Sequence, residues 1–118
     1  MPAEHAARRV RLAAAVAETG ADAALITRLV NVRYLTGLAS SNAALLLGVD
    51  GIGVLATDGR YVTAAAEVAP DLEVVKERGV APALAARAAA GRPVRLAVEE
   101  HDVTLALAAE IQKSAESA

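Results

Sequence analysis

The 118 residues contain no cysteine, no phenylalanine and no tryptophan, and tyrosine occurs twice, as Tyr34 and Tyr61. Without cysteine there is no disulfide, no thiolate metal site and no thiol nucleophile. Without large aromatic rings, the core has to be filled by Ala, Val and Leu, which favours close approach of neighbouring elements. A net charge of −2 supplies no basic face for a phosphate backbone, so nucleic acid is not an expected partner. No apolar run reaches the roughly 18 residues of a membrane span, and residues 1–11 lack the apolar segment of a secretion signal. The lack of cysteine fits a cytoplasmic protein, and that location is the expectation.

What is present is apolar. Hydrophobic residues make up 55% of the chain, too many for a disordered tail, and the length suits one domain with a core of its own. Residues 4–18 place Val10, Ala14 and Ala17 at helical spacing, with Arg8, Arg9 and Arg11 on a solvated face and Gly20 as the stop. Residues 22–26 read as a short buried strand. Asn31 is the expected N-cap of a brief helix that Gly37 ends. Residues 43–48 and 52–57 read as two strands joined by a tight turn at Asp50-Gly51, and Asp58-Gly59 makes another turn. A helix over 61–68, a strand over 72–76, a helix from Pro82 to about Ala90 and a strand over 94–98 follow. Asp102 is the expected N-cap of a last helix running to about Lys113, and residues 114–118 have no core-forming pattern. The order α-β-α-β-β-α-β-α-β-α predicts an α/β domain with a mixed, mostly parallel five-stranded sheet, one central hairpin and flanking helices.

Three segments resemble chemical motifs. Gly51-Ile52-Gly53-Val54-Leu55-Ala56 fits the dinucleotide pattern, with Glu73 at the position of a ribose-binding acid. That chemistry needs a strand-to-helix junction, whereas the local sequence reads as a hairpin. Glu99-Glu100-His101-Asp102 groups four ligand types, but neighbours on an extended chain point to opposite faces, and a polar strand-to-helix loop is the expectation. Ser41 with His101 lacks the sequence of a nucleophile elbow, and His5 lies near the chain start. No Walker motif and no H-E-x-x-H sequence is present.

The most distinctive stretch is Asn31-Val32-Arg33-Tyr34-Leu35-Thr36-Gly37-Leu38, followed by Ser41-Asn42-Ala43-Ala44-Leu45-Leu46-Leu47. It resembles the signature of creatinase/prolidase N-terminal domains. The Arg-rich first helix, Gly20-Ala21-Asp22-Ala23-Ala24-Leu25-Ile26, and the segment Val54 to Tyr61 are similar to that family in order and spacing. The likeness extends over residues 8–112.

The resemblance implies a ribonuclease H-like α/β domain and an assignment as the N-terminal domain of an Xaa-Pro aminopeptidase or dipeptidase. It implies that this domain is non-catalytic. A pita-bread catalytic domain outside these residues would hold two divalent metal ions, often manganese, and this chain would hold none. It further implies a role in dimer formation and in walling the active-site mouth against all but short proline-containing peptides. By position, Leu38, Ser40, Ser41 and Asn42 would form the lip of that entrance. Leu38 stands where the family often has an aromatic residue, so no aromatic substrate contact is expected there. Asn31, Arg33, Tyr34, Gly37, Arg60 and Tyr61 are signature positions with structural roles. The Tyr34 ring is expected in the core, and Arg60 and Tyr61 are expected to order the turn that opens a helix. A stand-alone interaction or oligomerisation module, and the N-terminal domain of a creatinase-like amidinohydrolase, are the alternative readings.

Overall fold

A computed structural model describes residues 2–117. Five helices and five strands follow one another in the expected order. They are α1 (Pro2–Glu18), β1 (Ala23–Ile26), α2 (Leu29–Thr36), β2 (Ala43–Gly48), β3 (Gly53–Thr57), α3 (Val62–Val68), β4 (Glu73–Lys76), α4 (Val80–Ala89), β5 (Leu96–Val98) and α5 (Leu105–Glu116). The strands form one sheet in the order β4-β3-β2-β1-β5. β1 and β3 both pair antiparallel with β2, while β5 joins β1 and β4 joins β3 in parallel. Four strands therefore run one way and the central β2 runs against them, a mixed and mostly parallel sheet.

The inner strands are apolar without interruption because both faces of the sheet are covered. Ala24, Ile26, Leu45, Leu47 and Leu55 face one layer, where Ala13, Val16, Val32, Leu35 and Ala65 of α1, α2 and α3 meet them. Their alternating neighbours Leu25, Ala44, Leu46, Val54 and Ala56 face the other, against Ala81, Leu84 and Ala85 of α4 and Ile111 of α5. Alanine on both sheet and helices lets these layers approach closely, which is how a core without Phe or Trp is filled. The outer strands β4 and β5 are only partly covered.

Several local expectations are corrected. Arg9 lies not on a solvated face but in the interior, 5% exposed. Its guanidinium donates to the Leu35 carbonyl at 2.7 Å and to the Asp71 carboxylate, tying α1 to α2 and to the loop before β4. The Tyr34 ring is 54% exposed rather than in the core. The Arg8 guanidinium stacks 4.1 Å from its centroid and donates to the Tyr34 carbonyl at 2.9 Å. Val32 and Leu35 take the core-facing positions of α2, and residue 34 falls outside that stripe.

Neither predicted cap holds. Arg28 is the N-cap residue of α2 and Thr104 that of α5, where the Thr104 hydroxyl accepts from Leu107 N at 3.0 Å. Asn31 and Asp102 turn instead to partners far along the chain. β3 begins at Gly53 rather than residue 52, β5 at Leu96 rather than residue 94, and α5 continues through Glu116. Ala118 lies outside the described residues. Gly37 ends α2 in the left-handed conformation at φ +84°, as its place in the sequence predicts.

Candidate functional site: the rim at the strand ends

Four parallel strands bring their C-terminal ends to one edge of the sheet, and β2 starts there. The register sets Ala43 opposite Thr57, Thr57 opposite Lys76, and Leu25 opposite Val98. Loops 27–28, 37–42, 58–61, 77–79 and 99–104 therefore form one rim. In open α/β sheets such a rim is where ligands and partners are met, because loops there vary without disturbing the strands.

Asn42 is the hub of the rim. Its side-chain amide donates to Asp58 Oδ2 at 3.1 Å and to the Arg78 carbonyl at 3.0 Å. Its carbonyl accepts from the Thr57 hydroxyl at 2.6 Å and the Ser40 hydroxyl at 3.0 Å, and its N–H donates back to Ser40 Oγ at 2.9 Å. Three loops distant in sequence are thus held by one half-buried side chain. Ser41 is exposed, and its hydroxyl meets the Tyr61 hydroxyl at 2.9 Å. That bond favours the phenolate and draws the Tyr61 phenol below its ordinary range.

Asp58 Oδ1 accepts from Arg60 N and Nε at 3.0 Å each, and Oδ2 accepts from Arg60 Nη2 at 2.8 Å. The Arg60 guanidinium holds the Asp58 carboxyl well below the usual carboxylate range, with the Asn42 amide assisting. Arg60 also lies 5.2 Å from the Tyr61 ring, which is the N-cap position of α3. Arg60 and Tyr61 thus order the turn opening a helix.

Of the four lip residues, Ser40, Ser41 and Asn42 stand on the rim. Leu38 does not, because it is 2% exposed in the core beside Val32 and Leu35, with its N–H donated to Thr36 Oγ1 at 3.1 Å. An aliphatic side chain at this point fills the layer beneath the loop rather than projecting from it. Ser41 and Asn42 share a cleft of about 670 Å³ with Arg28, Val30 and Arg78.

The other candidate motifs dissolve into structure. Gly51 closes the β2–β3 hairpin at φ +87°, and residues 53–57 form β3, so no helix opens there to receive a pyrophosphate. Glu99 Oε1 accepts from the N–H groups of Thr27 and Arg28 at 2.7 and 2.8 Å, and Oε2 accepts from Asn31 Nδ2 at 2.5 Å. Asp102 accepts from the Thr27 hydroxyl at 2.5 Å. His101 and Glu100 are almost fully exposed, 3.7 Å apart. Among the described residues no three His, Asp or Glu side chains gather in a metal-binding arrangement. The described residues do not fit a two-metal centre.

Arg78, Lys76 and Asp58 were not singled out from sequence as rim residues. Their signal is positional, since each follows or ends a strand of the parallel set.

The family model of the Creatinase/Prolidase N-terminal domain matches residues 8–118. Among solved structures, the N-terminal domain of the cytoplasmic peptidase PepQ from Mycobacterium tuberculosis H37Rv is 50% identical, with a TM-score of 0.87 over 92% of this chain and 84% of that one. The N-terminal domain of a metallopeptidase described as Creatinase/Prolidase-like, from Corynebacterium diphtheriae, is 38% identical, with a TM-score of 0.88 over 93% and 87%. An X-Pro aminopeptidase from Thermotoga maritima is 25% identical, with a TM-score of 0.77 over 90% of this chain but 30% of that longer one. No curated protein matches the chain. Signature positions, strand order and overall likeness agree, and the chain belongs to the Creatinase/Prolidase N-terminal domain family.

Proposed function

We propose that this chain is the non-catalytic N-terminal domain of a cytoplasmic, proline-specific metallopeptidase, an Xaa-Pro aminopeptidase or dipeptidase. It contributes to oligomerisation and to the wall of the active-site entrance. The observation that carries the reading is the family match over residues 8–118, joined to a likeness spanning 30% of a longer X-Pro aminopeptidase. Two further features support it. The acidic and histidine side chains of residues 99–102 accept hydrogen bonds or stand in solvent, in keeping with metal chemistry carried elsewhere. Ser40, Ser41 and Asn42 sit on a rim whose geometry is over-determined by Asn42, as a wall that excludes bulky substrates requires.

The test compares this chain with the longer protein on Xaa-Pro peptides of increasing length, with manganese added. Proline release is expected from the longer protein alone. In that protein, Ser41→Trp is expected to raise KM several-fold for long peptides and leave the shortest substrate unchanged. Proline release by the 118 residues overturns the non-catalytic reading, and a length profile indifferent to residue 41 overturns the wall.

An oligomerisation module acting without a peptidase domain is the second reading. It is favoured by apolar side chains left in solvent, Leu105 at 92%, Val30 at 60% and Tyr34 at 54%. Full activity of a longer protein held monomeric, or a strict monomer of this chain at high concentration, decides against a role in assembly.

A further inference from the structure

Beside the Ser41–Asn42 cleft, the rim holds a second open hollow of about 610 Å³, lined by Asn42, Asp58, Gly59, Arg60, Lys76 and Arg78. Its charges do not balance. Three cations stand against one carboxylate, which leaves two positive charges in excess. The carboxylate is also spent, since Asp58 takes three bonds from Arg60 and one from Asn42. Among the described residues, neither Lys76 nor Arg78 has an ion-pair partner.

The cations are placed by the fold rather than scattered. Lys76 ends β4 opposite Thr57, and its stem lies over Gly59, where a side chain would begin 3.1 Å from Lys76 Cε and 3.6 Å from Nζ. The bare turn at Gly59 therefore makes room for the lysine next to Arg60. The Arg78 carbonyl is held by Asn42, which anchors that residue on the same wall. Arg60 uses Nε and Nη2 on Asp58, its side chain is 67% exposed, and its remaining edge is open to solvent.

We propose that this hollow is a binding site for a phosphate dianion, free or carried by a small monoester, clasped by Lys76, Arg78 and the outer edge of Arg60. An excess of two positive charges matches a dianion better than a single carboxylate. Arginine and lysine donors together suit the several acceptor oxygens of a phosphate. Ligand here would couple to the peptide-facing loop through Asn42, which both clefts share. The site rests on its own charge balance and stands whether or not the parent protein is a peptidase.

The experiment is an NMR titration of the 118-residue chain with inorganic phosphate, with glycerol phosphate and with acetate, at constant ionic strength. Backbone amide signals of Gly59, Arg60, Lys76 and Arg78 are expected to move together on adding phosphate, with acetate at least about fivefold weaker. Response to both phosphates identifies a site for the group itself, and response to the monoester alone identifies an esterified ligand; either supports the proposal. Binding should strengthen as pH rises through the second phosphate ionisation, about 6 for a monoester. The double substitution K76Q/R78Q, at exposed positions, should weaken binding about tenfold, the equivalent of about 1.4 kcal/mol. Arg92→Gln, at the opposite end of the sheet beside Gly48 and Asp50, should leave it unchanged. Equal affinity for acetate and phosphate, signals that move away from the hollow, indifference to K76Q/R78Q, or no response to either phosphate overturns the proposal.

Discussion

Glu99 and Asn31 lie 68 residues apart in sequence, yet the Asn31 side-chain amide donates to Glu99 Oε2 at 2.5 Å. The other oxygen of the same carboxylate accepts the N–H groups of Thr27 and Arg28, just before α2. The helix therefore begins under a cap supplied from the end of β5, and its own N-cap residue, Arg28, offers none. A negative charge at a helix N-terminus adds to these bonds through the backbone dipole.

Replacing Glu99 tests the strength of this borrowed cap. Glu99→Ala strands two backbone donors and the Asn31 amide, so a loss of about 2 kcal/mol is expected. Glu99→Gln keeps two acceptor positions on one oxygen and should cost about half of that. Urea unfolding midpoints report both. An unchanged midpoint in the alanine variant would show that water replaces the carboxylate at no cost. Added manganese should shift neither midpoint, since the carboxylate is committed to α2.

Gly37 joins a left-handed backbone to a close neighbour. It sits at φ +84°, and a side chain there would begin 2.7 Å from Cε1 of the His5 ring. The left-handed conformation alone costs a residue with Cβ about 1–2 kcal/mol. Gly37→Ala should therefore destabilise the domain by about 2 kcal/mol or more, and His5→Ala should relieve the steric part. A double-substitution cycle read by thermal or urea unfolding separates the two contributions. Strict additivity of the two changes would remove the His5 contact from the account and leave the backbone conformation alone.

Acid weakens this domain through two groups with the same sign. Hydrogen bonding to Arg60 holds Asp58 below its ordinary value of 3.8, so in acid the folded chain binds fewer protons than the unfolded one. That contribution is complete above the ordinary value, and its loss begins as pH falls below it and continues down to the depressed value of the folded chain. Burial lowers His5 from its ordinary value of 6.5, and its Nδ1 has no partner among the described residues. Protonation again favours the unfolded chain, with a loss that starts as pH falls below 6.5. Urea midpoints measured at intervals from pH 7.5 to 3 should fall in two stages. His5→Gln should flatten the upper stage and Asp58→Asn the lower. Stability that increases on acidification across either window would contradict the assigned direction.

Most of the element order was legible because local rules and tertiary demands agree along this chain. Gly20, Gly37 and the Asp50-Gly51 and Asp58-Gly59 pairs punctuate runs whose periodicity changes from helical to extended, and the structure breaks at those points. The uninterrupted apolar runs 43–47 and 54–56 required a sheet buried on both faces, and α1, α2 and α3 on one side with α4 and α5 on the other provide it. The signature around residues 31–42 identified the family for the same reason, since its residues occupy positions that the rim and the α2 C-terminus constrain.

Local chemistry misjudged the residues whose partners lie far away. Asn31 and Asp102 are good caps by type, but the Glu99 carboxylate just after β5 and a hydroxyl from residue 27 claim them. Arg9 reads as solvated on its own helix, and becomes an interior tie only because the Leu35 carbonyl and Asp71 arrive opposite it. Leu38 and Tyr34 exchanged their expected places, since the rotation of α2 on the sheet decides which of its neighbours is covered. The sequence by itself determined the α/β class, the strand order along the chain and the family, because composition, periodicity and turn residues act over a few positions. Only the tertiary structure decided which polar groups are consumed by the fold and which cations are left over at the rim. Hydrogen bonds and charge balance are settled between segments that meet only when the sheet closes.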